Sequence, residues 1–272
     1  MSGFACFCSI FCKYSANFCW LFWGKFLFPP VWFSVINVFV METDNNEIKQ
    51  AIQTDIETGD GILSRAAEIA RGGPCTGADV ASGTQRRGAR VVAHDQRRQQ
   101  DARLIEWARA SNRLIDNDAF QDAVDAQGDD DPSGGEQDVY YDPEQGRWWK
   151  RNTLILHQLD GWHIGFLHRL LLHNWLFPEV AYRLEGYALT PSGLQPVISQ
   201  PDVWAQCGAN RTEATAFMQT LGFRWQGANN FIKGGLFVGD LHDENILITP
   251  AGNYAVIDPE IQLTDPAEDD EI

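Results

Sequence analysis

The chain has 272 residues, a formal net charge of −16 at neutral pH and a hydrophobic content of 44%. This length is sufficient for one or two domains. The acidic balance argues against a general nucleic-acid binder, because phosphate contacts need a cationic protein face; nucleic acid is therefore not expected as a partner. Four of the six cysteines lie within the first 20 residues, so no disulfide framework is indicated and a cytoplasmic location is predicted.

Residues 1–40 differ in composition from the rest of the chain. They contain no Asp or Glu and are rich in Phe, Trp and Cys. The apolar runs on either side of Pro29-Pro30 are each shorter than the about 20 residues that a membrane helix needs. We expect Met41 to be the true start and residues 1–40 to be translated upstream sequence. The alternative is a membrane-associated N-terminus, which would make the membrane a partner.

Composition divides the remaining chain into five segments. Apolar residues at helical spacing predict a helical segment over residues 41–71 and an amphipathic helical segment over residues 101–128. Between them, residues 72–100 are rich in Gly, Ser and Arg and are predicted to be a flexible linker. A turn-rich boundary marks the start of the main domain, predicted over residues 129–263. An acidic tail, residues 264–272, is predicted to be disordered.

The most informative stretch lies near the end of the chain. Two short apolar runs on either side of the turn Thr249–Asn253 predict a β-hairpin. Asp240 and Asn245 precede the first run, and Asp258 follows the second. Because antiparallel pairing brings the entrance and the exit of a hairpin together, we expect these three polar side chains to converge.

The three residues suit phosphoryl transfer. That reaction needs a carboxylate to orient the attacking hydroxyl, and oxygen ligands to hold Mg²⁺ against the nucleotide phosphates. Asp240 suits the first task, while Asn245 and Asp258 suit the second. The order of these residues is that of kinase-like phosphotransferases. The D-L-H-x-x-N pattern resembles the aminoglycoside-phosphotransferase branch more than the H-R-D form of eukaryotic protein kinases.

A predicted strand, tight turn and strand lie upstream. Lys150 ends the second of these strands, where a kinase-like fold keeps the lysine that contacts the nucleotide phosphates. Gly134 and Gly135 precede the first strand and would let backbone N–H groups approach a phosphate closely. Arg147 and Arg151 are neighbouring alternatives to Lys150.

A helix and a second hairpin are predicted between these motifs. The helix covers residues 163–175, and its three histidines are spaced by five residues, which does not match the shared face of a metal site. The hairpin follows over residues 182–199 and supplies two more strands. Ser199 and Gln200 are then expected at a hinge whose backbone groups could bond adenine.

Together these segments resemble the polyvalent protein kinase domain of phages and mobile elements, over about residues 100–262. The resemblance implies an α+β fold of the minimal protein-kinase-like type. This fold has an antiparallel N-terminal-lobe sheet plus a helix, and a reduced C-terminal lobe that carries the catalytic-loop hairpin. It also implies ATP as the donor, Mg²⁺ as a cofactor and delivery to a recipient cell with mobile DNA. The residues that carry it are Gly135-Glu136, Val139-Tyr140, Lys150, His173–Pro178, Tyr182–Tyr187, Pro196–Pro201, Leu221–Phe223, Asp240–Asn245 and Ile257–Pro259.

Two departures from the kinase pattern are visible. The predicted helix contains no glutamate to pair with Lys150; Glu179 or Glu185 could substitute, or the ion pair could be missing. The sequence after Asp258 is short, without an activation segment or a large helical lobe, which places a protein acceptor in doubt.

The sequence therefore predicts an ATP- and Mg²⁺-dependent phosphotransferase, with an acceptor, protein or small molecule, that the residues do not identify. A second hypothesis is a catalytically degenerate kinase-like module that binds nucleotide or a partner in a mobile element. A third is a metallohydrolase that uses Asp240, His242, Asp243 and Asp258 as a metal cluster.

Overall fold

The structure is a computed structural model, and it describes residues 46–58, 60–72, 86–127, 135–157 and 162–264. The predictions for residues 1–40 and for the tail beyond residue 264 lie outside this part of the chain. The predicted α+β class is confirmed, since the described ranges contain six α-helices and three β-sheets. Within the same ranges, none of the helices combines the length and the apolar content that a membrane crossing needs.

Side-chain caps mark the start of two helices. Asp116 caps α4 by accepting from two backbone N–H groups of the first turn. Asn210 caps α6 and forms a capping box with Glu213. The helices are α1 (Asn46–Thr58), α2 (Ile62–Arg71), α3 (Arg86–Ala110), α4 (Asn117–Asp125), α5 (His163–Leu176) and α6 (Arg211–Thr220).

Helix α3 is longer than predicted. It begins at Arg86, so the linker prediction is wrong for residues 86–100, while residues 73–85 lie outside the described part of the chain. Arg, Gln and Ala are strong helix formers, and tertiary packing overrides a composition that lacks large apolar residues. The packing is visible further along α3, where Leu104 and Ala108 are fully buried.

The first sheet contains five strands and is mixed rather than antiparallel. The two-residue strand β1 pairs in parallel with β4, whereas the other pairs are antiparallel. Such a short strand has no alternating pattern of its own, so the sequence predicts its two residues as part of a helical segment. The strands are β1 (Leu114–Ile115), β2 (Gln137–Asp142), β3 (Arg147–Asn152), β4 (Arg183–Thr190) and β5 (Gly193–Pro201), in the order β1-β4-β5-β3-β2.

Two smaller sheets complete the described fold. The predicted hairpin is present as β10 and β11, in a register that pairs Ile246 with Val256. The remaining strands are β6 (Cys207–Gly208), β7 (Arg224–Gly227), β8 (Asn230–Lys233), β9 (Leu236–Gly239), β10 (Ile246–Ile248), β11 (Tyr254–Val256) and β12 (Glu260–Leu263). One sheet has the order β11-β10-β6, and the other has the order β12-β9-β8-β7. The chain therefore returns after Asp258 to pair beside the strand that leads into Asp240.

Helix α5 lies at the centre of the hydrophobic core. It is apolar on nearly all sides, which is typical of a helix surrounded by protein, and Leu167 and Leu171 are each no more than 1% exposed. Helices α1 and α2 pack on it, and it also contacts β12. The core therefore joins the N-terminal helices to the elements near the end of the chain.

The buried histidines of α5 make stability depend on pH, and His168 is one of them. His168 is 1% exposed, and its Nε2 lies 3.1 Å from a guanidinium nitrogen of Arg71. Because a guanidinium can only donate, Nε2 accepts and the ring is neutral. Burial, with the neighbouring charge of Arg71, lowers the pKa of His168 from 6.5 to about 4.

We expect the free energy of unfolding to fall as the pH drops from 6.5 towards 4. Across this window the unfolded chain binds a proton at His168 that the folded chain excludes, so stability rises with pH by about 1.4 kcal/mol per unit from this residue. Urea unfolding of the wild type and of His168→Gln at several pH values measures this. The variant should show a shallower dependence by about one proton; identical slopes would contradict the assignment.

Candidate active site

Strand β3 directs Lys150 towards the hairpin of the second sheet. Its Nζ lies 2.6 Å from Oδ1 and 2.6 Å from Oδ2 of Asp258, and it also donates to Oε1 of Gln200 at 3.1 Å. The Lys150 side chain is only 6% exposed. A buried ammonium group with a carboxylate partner supplied from a distant part of the chain is thus the centre of the site.

The two neighbouring arginines face the other side of the sheet, as the alternation of a strand requires. Arg147 donates through Nε to Oγ of Ser199 at 2.8 Å. Arg151 bonds to Asp138 on β2 and to two side chains of α4. Lys150 is therefore the cation of β3 that meets Asp258.

Ser199 and Gln200, the predicted adenine contacts, point in opposite directions. Ser199 pairs with β3 and β4 inside the sheet, and its hydroxyl donates to Glu185 at 2.6 Å, on the face away from Lys150. Gln200 is 2% exposed, and its Nε2 donates to the carbonyl of Val180 at 3.1 Å. That bond fixes the amide of Gln200 so that its Oε1 faces Lys150. Contact of Ser199 or Gln200 with adenine stays a prediction.

The carboxylates considered as substitutes for a helix glutamate do not reach Lys150. Glu185 accepts from Ser199 on the outer face of the sheet, and Glu179 is exposed after the end of α5. The second partner of Lys150 is instead the neutral amide of Gln200 on β5.

The predicted convergence of the three polar residues is present. Nδ2 of Asn245 donates to the backbone oxygen of Asp240 at 2.9 Å, to its Oδ2 at 3.2 Å and to the backbone oxygen of Asp258 at 3.4 Å. The backbone N–H of Ile257 donates to the carbonyl of Asn245 at 2.8 Å. Since all three side-chain bonds use Nδ2, Oδ1 of Asn245 is the atom that could bind a metal.

Both aspartates of the site have left-handed backbone conformations. Asp240 has a φ of 59° and Asp258 a φ of 50°. Non-glycine residues rarely adopt this region, although Asp and Asn tolerate it better than most, and such conformations cluster at functional sites. Each residue turns the chain sharply just after a strand; the side chain of Asp258 meets Lys150, and that of Asp240 meets Asn245.

The charge state of Asp258 follows from its neighbours. Crowding by protein atoms raises the pKa of its carboxyl, but the charge of Lys150 and the hydrogen bonds from Lys150 and Tyr182 together outweigh that effect, and the pKa lies below its ordinary value. Burial, with the charge of Asp258, raises the pKa of Tyr182 well above 10, so its hydroxyl stays protonated. Asp258 is thus an anion at neutral pH, and its side chain is 38% exposed at the opening of the site.

Glu136 is an acidic neighbour to which the sequence motifs assigned no role, although it belongs to the Gly135-Glu136 pair. Partial burial raises its pKa, as do the charges of Asp240, Asp258 and Glu260, while Arg169 opposes them. Glu136 therefore shares the electrostatic environment of the site. Gly135, the predicted phosphate contact, directly precedes it and has open space around its Cα, whereas Gly134 lies outside the described residues. The sequence signal for Glu136 was its position next to the glycine pair.

The histidines do not assemble a metal cluster. Across the described ranges, the structure contains no group of three or more His, Cys, Asp or Glu side chains placed to hold a metal ion. His242 lies 3.7 Å from Asp240. His163 bonds instead to Asp101 at 2.8 Å, and His173 to the carbonyl of Val256 at 3.1 Å. The geometry gives no support to the metallohydrolase hypothesis.

Comparison with known proteins agrees with this geometry. Residues 97–265 match a family model described as a serine/threonine/tyrosine kinase found in polyvalent proteins. The match begins upstream of the boundary predicted at residue 129 and so includes the end of α3 together with β1 and α4. No curated protein and no solved structure matches the chain significantly.

Gly208 permits the close approach of β6 to the loop between Asp240 and Asn245. A Cβ added to Gly208 would lie 1.9 Å from the carbonyl oxygen of Asp243. Since that atom belongs to the backbone, Gly208→Ala must displace the loop, and we expect the phosphoryl-transfer rate to fall at least about tenfold. Steady-state kinetics measure this, with the exposed neighbour variant Cys207→Ala as the control. Equal rates in the two variants would show that the loop tolerates the shift.

Proposed function

The chain belongs to the family of serine/threonine/tyrosine kinases found in polyvalent proteins, and we propose that it is an ATP- and Mg²⁺-dependent phosphotransferase with a minimal protein-kinase-like fold. The five-stranded sheet with α5 is the N-terminal lobe of this fold. The sheets that carry Asp240, Asn245 and Asp258 are its reduced C-terminal lobe. The observation that carries the proposal is the pairing of the buried Lys150 with Asp258, together with the hydrogen bonds of Asn245 to both Asp258 and Asp240.

Lys150 is the nucleotide-binding cation of this proposal. Its ammonium is compact and nearly buried, and its amide partner Gln200 holds it without adding negative charge. Phosphate oxygens of ATP would compete with Asp258 for the same ammonium, because both are anionic oxygen acceptors. Gly135 lies open beside the site, where its backbone could approach a phosphate.

The donor set fits Mg²⁺. This ion prefers a few hard oxygen ligands and keeps several waters. The carboxylate of Asp258 and Oδ1 of Asn245 would hold it, and both belong to the same hydrogen-bonded loop pair. When bound, Mg²⁺ neutralises charge on the transferring phosphoryl group.

Asp240 is proposed as the residue that aligns the acceptor. It is exposed, so an acceptor can reach it, and Asn245 fixes its carboxylate through Oδ2. In the transfer, the acceptor oxygen forms a bond to the γ-phosphorus, the bond from that phosphorus to the bridging oxygen of ADP breaks, and Asp240 takes the acceptor's proton. The acceptor is therefore a hydroxyl, and the family description favours one on a protein.

One observation favours a second candidate, a nucleotide-binding module without transferase activity. Helix α5 contains no glutamate, so Lys150 lacks the carboxylate that kinases place there. Such a module would act by interaction within a mobile element. Titration calorimetry with ATP and Mg²⁺, followed by an assay of γ-phosphate release, separates the two: binding without turnover supports the module.

Asp240→Asn tests the transferase directly. Asparagine also tolerates the left-handed backbone at this position, so the variant removes the negative charge with little change in shape. We expect phosphoryl transfer to fall by about 10²–10⁴-fold, the range typical of a lost general base, while the affinity for ATP stays nearly unchanged. Transfer to a generic hydroxyl acceptor and calorimetric ATP binding measure the two quantities.

Asp243→Asn is the matched control. Asp243 is an exposed carboxylate of the same loop, and the metallohydrolase hypothesis would need it as a ligand. The proposal expects wild-type transfer from this variant. Unchanged transfer in Asp240→Asn would remove Asp240 from its proposed role, and equal losses in both variants would point to a general disturbance of the loop.

A further inference from the structure

We propose that Tyr182 is a positioning residue for Asp258, and that Asn174 and Tyr182 couple helix α5 to the site in place of the helix glutamate. The inference rests on the proposed function, because Asp258 matters here as a ligand of the metal–nucleotide complex. Neither Tyr182 nor Asn174 is among the residues to which the motifs assigned a role in the site.

The hydroxyl of Tyr182 holds Asp258 at two points. It donates to Oδ1 of the carboxylate at 2.6 Å, and it accepts from the backbone N–H of the same residue at 3.3 Å. Tyr182 is 6% exposed, so water cannot easily replace this contact. A single hydroxyl thus restrains both the side chain and the left-handed backbone of Asp258.

Helix α5 in turn holds Tyr182. Asn174, in the last turn of the helix, donates through Nδ2 to the carbonyl of Tyr182 and accepts through Oδ1 from its N–H, each at 2.8 Å. The preceding residue, His173, packs its ring against Tyr182 with 4.5 Å between centroids. His173 also bonds to the carbonyl of Val256, two residues before Asp258. Two adjacent helix residues therefore contact Tyr182, and one of them, His173, also contacts the segment that carries Asp258.

This arrangement differs from the kinase pattern in where the helix attaches. In kinases a helix glutamate binds the strand lysine, so the helix position is transmitted to that lysine. Here Lys150 has Gln200 as its second partner, which belongs to β5. The hydrogen bonds of α5 lead instead to Asp258, so a displacement of the helix would be transmitted to the proposed metal ligand.

Tyr182→Phe removes only the hydroxyl and tests the coupling. We expect the affinity for Mn²⁺, measured by electron paramagnetic resonance in the presence of a non-hydrolysable ATP analogue, to fall about tenfold or more. The rate constant kcat should fall by a similar factor, whereas KM for ATP should change little because Lys150 and Gln200 are intact. Tyr140→Phe is the matched control, since Tyr140 packs against Phe120 and Trp149 on the opposite face of the sheet.

Asn174→Asp provides a second perturbation of the same chain of contacts. The variant keeps an oxygen that accepts from the N–H of Tyr182. It replaces Nδ2, which donates to the carbonyl of Tyr182, with a carboxylate oxygen that repels this carbonyl. We expect a loss of Mn²⁺ affinity in the same direction as in Tyr182→Phe. Since both residues act through one contact, the double variant should be no worse than the poorer single variant.

If Tyr182→Phe and Tyr140→Phe bind Mn²⁺ with equal affinity, the inference is overturned. A lower unfolding temperature of Tyr182→Phe would not rescue it, because the role of Tyr182 would then be structural. Losses that add fully in the double variant would overturn the coupling to α5. If the wild type binds Mn²⁺ and nucleotide but transfers no phosphate, the proposed function fails, while a loss of Mn²⁺ affinity in Tyr182→Phe still supports the positioning role. A wild type that binds neither overturns both.

Discussion

The ammonium of Lys150 is nearly buried, and Asp258, which is 108 residues further along the chain, supplies its counter-charge. An unpaired buried ion is costly, whereas a buried ion pair adds little net stability over an apolar pair of the same shape. The pair is therefore best understood as a positional constraint. It joins β3, an inner strand of the five-stranded sheet, to the end of the hairpin that Asp258 follows.

The second partner of Lys150 is a neutral amide. With Gln200 in this position, the ammonium has one full counter-charge, and an incoming polyphosphate competes with one carboxylate rather than two. The proposed oxygen ligands Asn245 and Asp258 lie in loops of the smaller sheets, and Glu136, which directly precedes β2, shares the electrostatic field of Asp240, Asp258 and Glu260. Such a division, with a cation on one sheet and oxygen ligands on the other, suits a phosphate chain bridged by a divalent cation.

Helix α5 connects this site to the N-terminal helices. Residues 46–71 precede the matched region 97–265, yet α1 and α2 pack on α5 and contribute to the same core. Arg71 contacts His168 in the middle of α5, and Asn174 at its end contacts Tyr182. The N-terminal helices are thus part of the structure that supports Asp258 rather than an independent appendage.

The sequence by itself determined the elements with a strong local signal. Turn residues and alternating apolar runs were sufficient for the hairpins β2–β3, β4–β5 and β10–β11, and helical periodicity for α5. The proximity of Asp240, Asn245 and Asp258 then followed from hairpin pairing, because antiparallel strands return a chain to its starting point. Lys150 was placed by its position in the second strand of the first hairpin, although β3 continues two residues further than predicted, to Asn152.

Tertiary structure decided the features that depend on residues distant in sequence. The length of α3, the parallel strand β1 and the pairing of β12 with β9 come from packing and ladder partners that no local pattern encodes. The contacts of Gln200 with Lys150 and of Tyr182 with Asp258 span 50 and 76 residues. Periodicity reports which way a side chain faces within its own element, but the partner that it meets there is fixed only when the elements pack together.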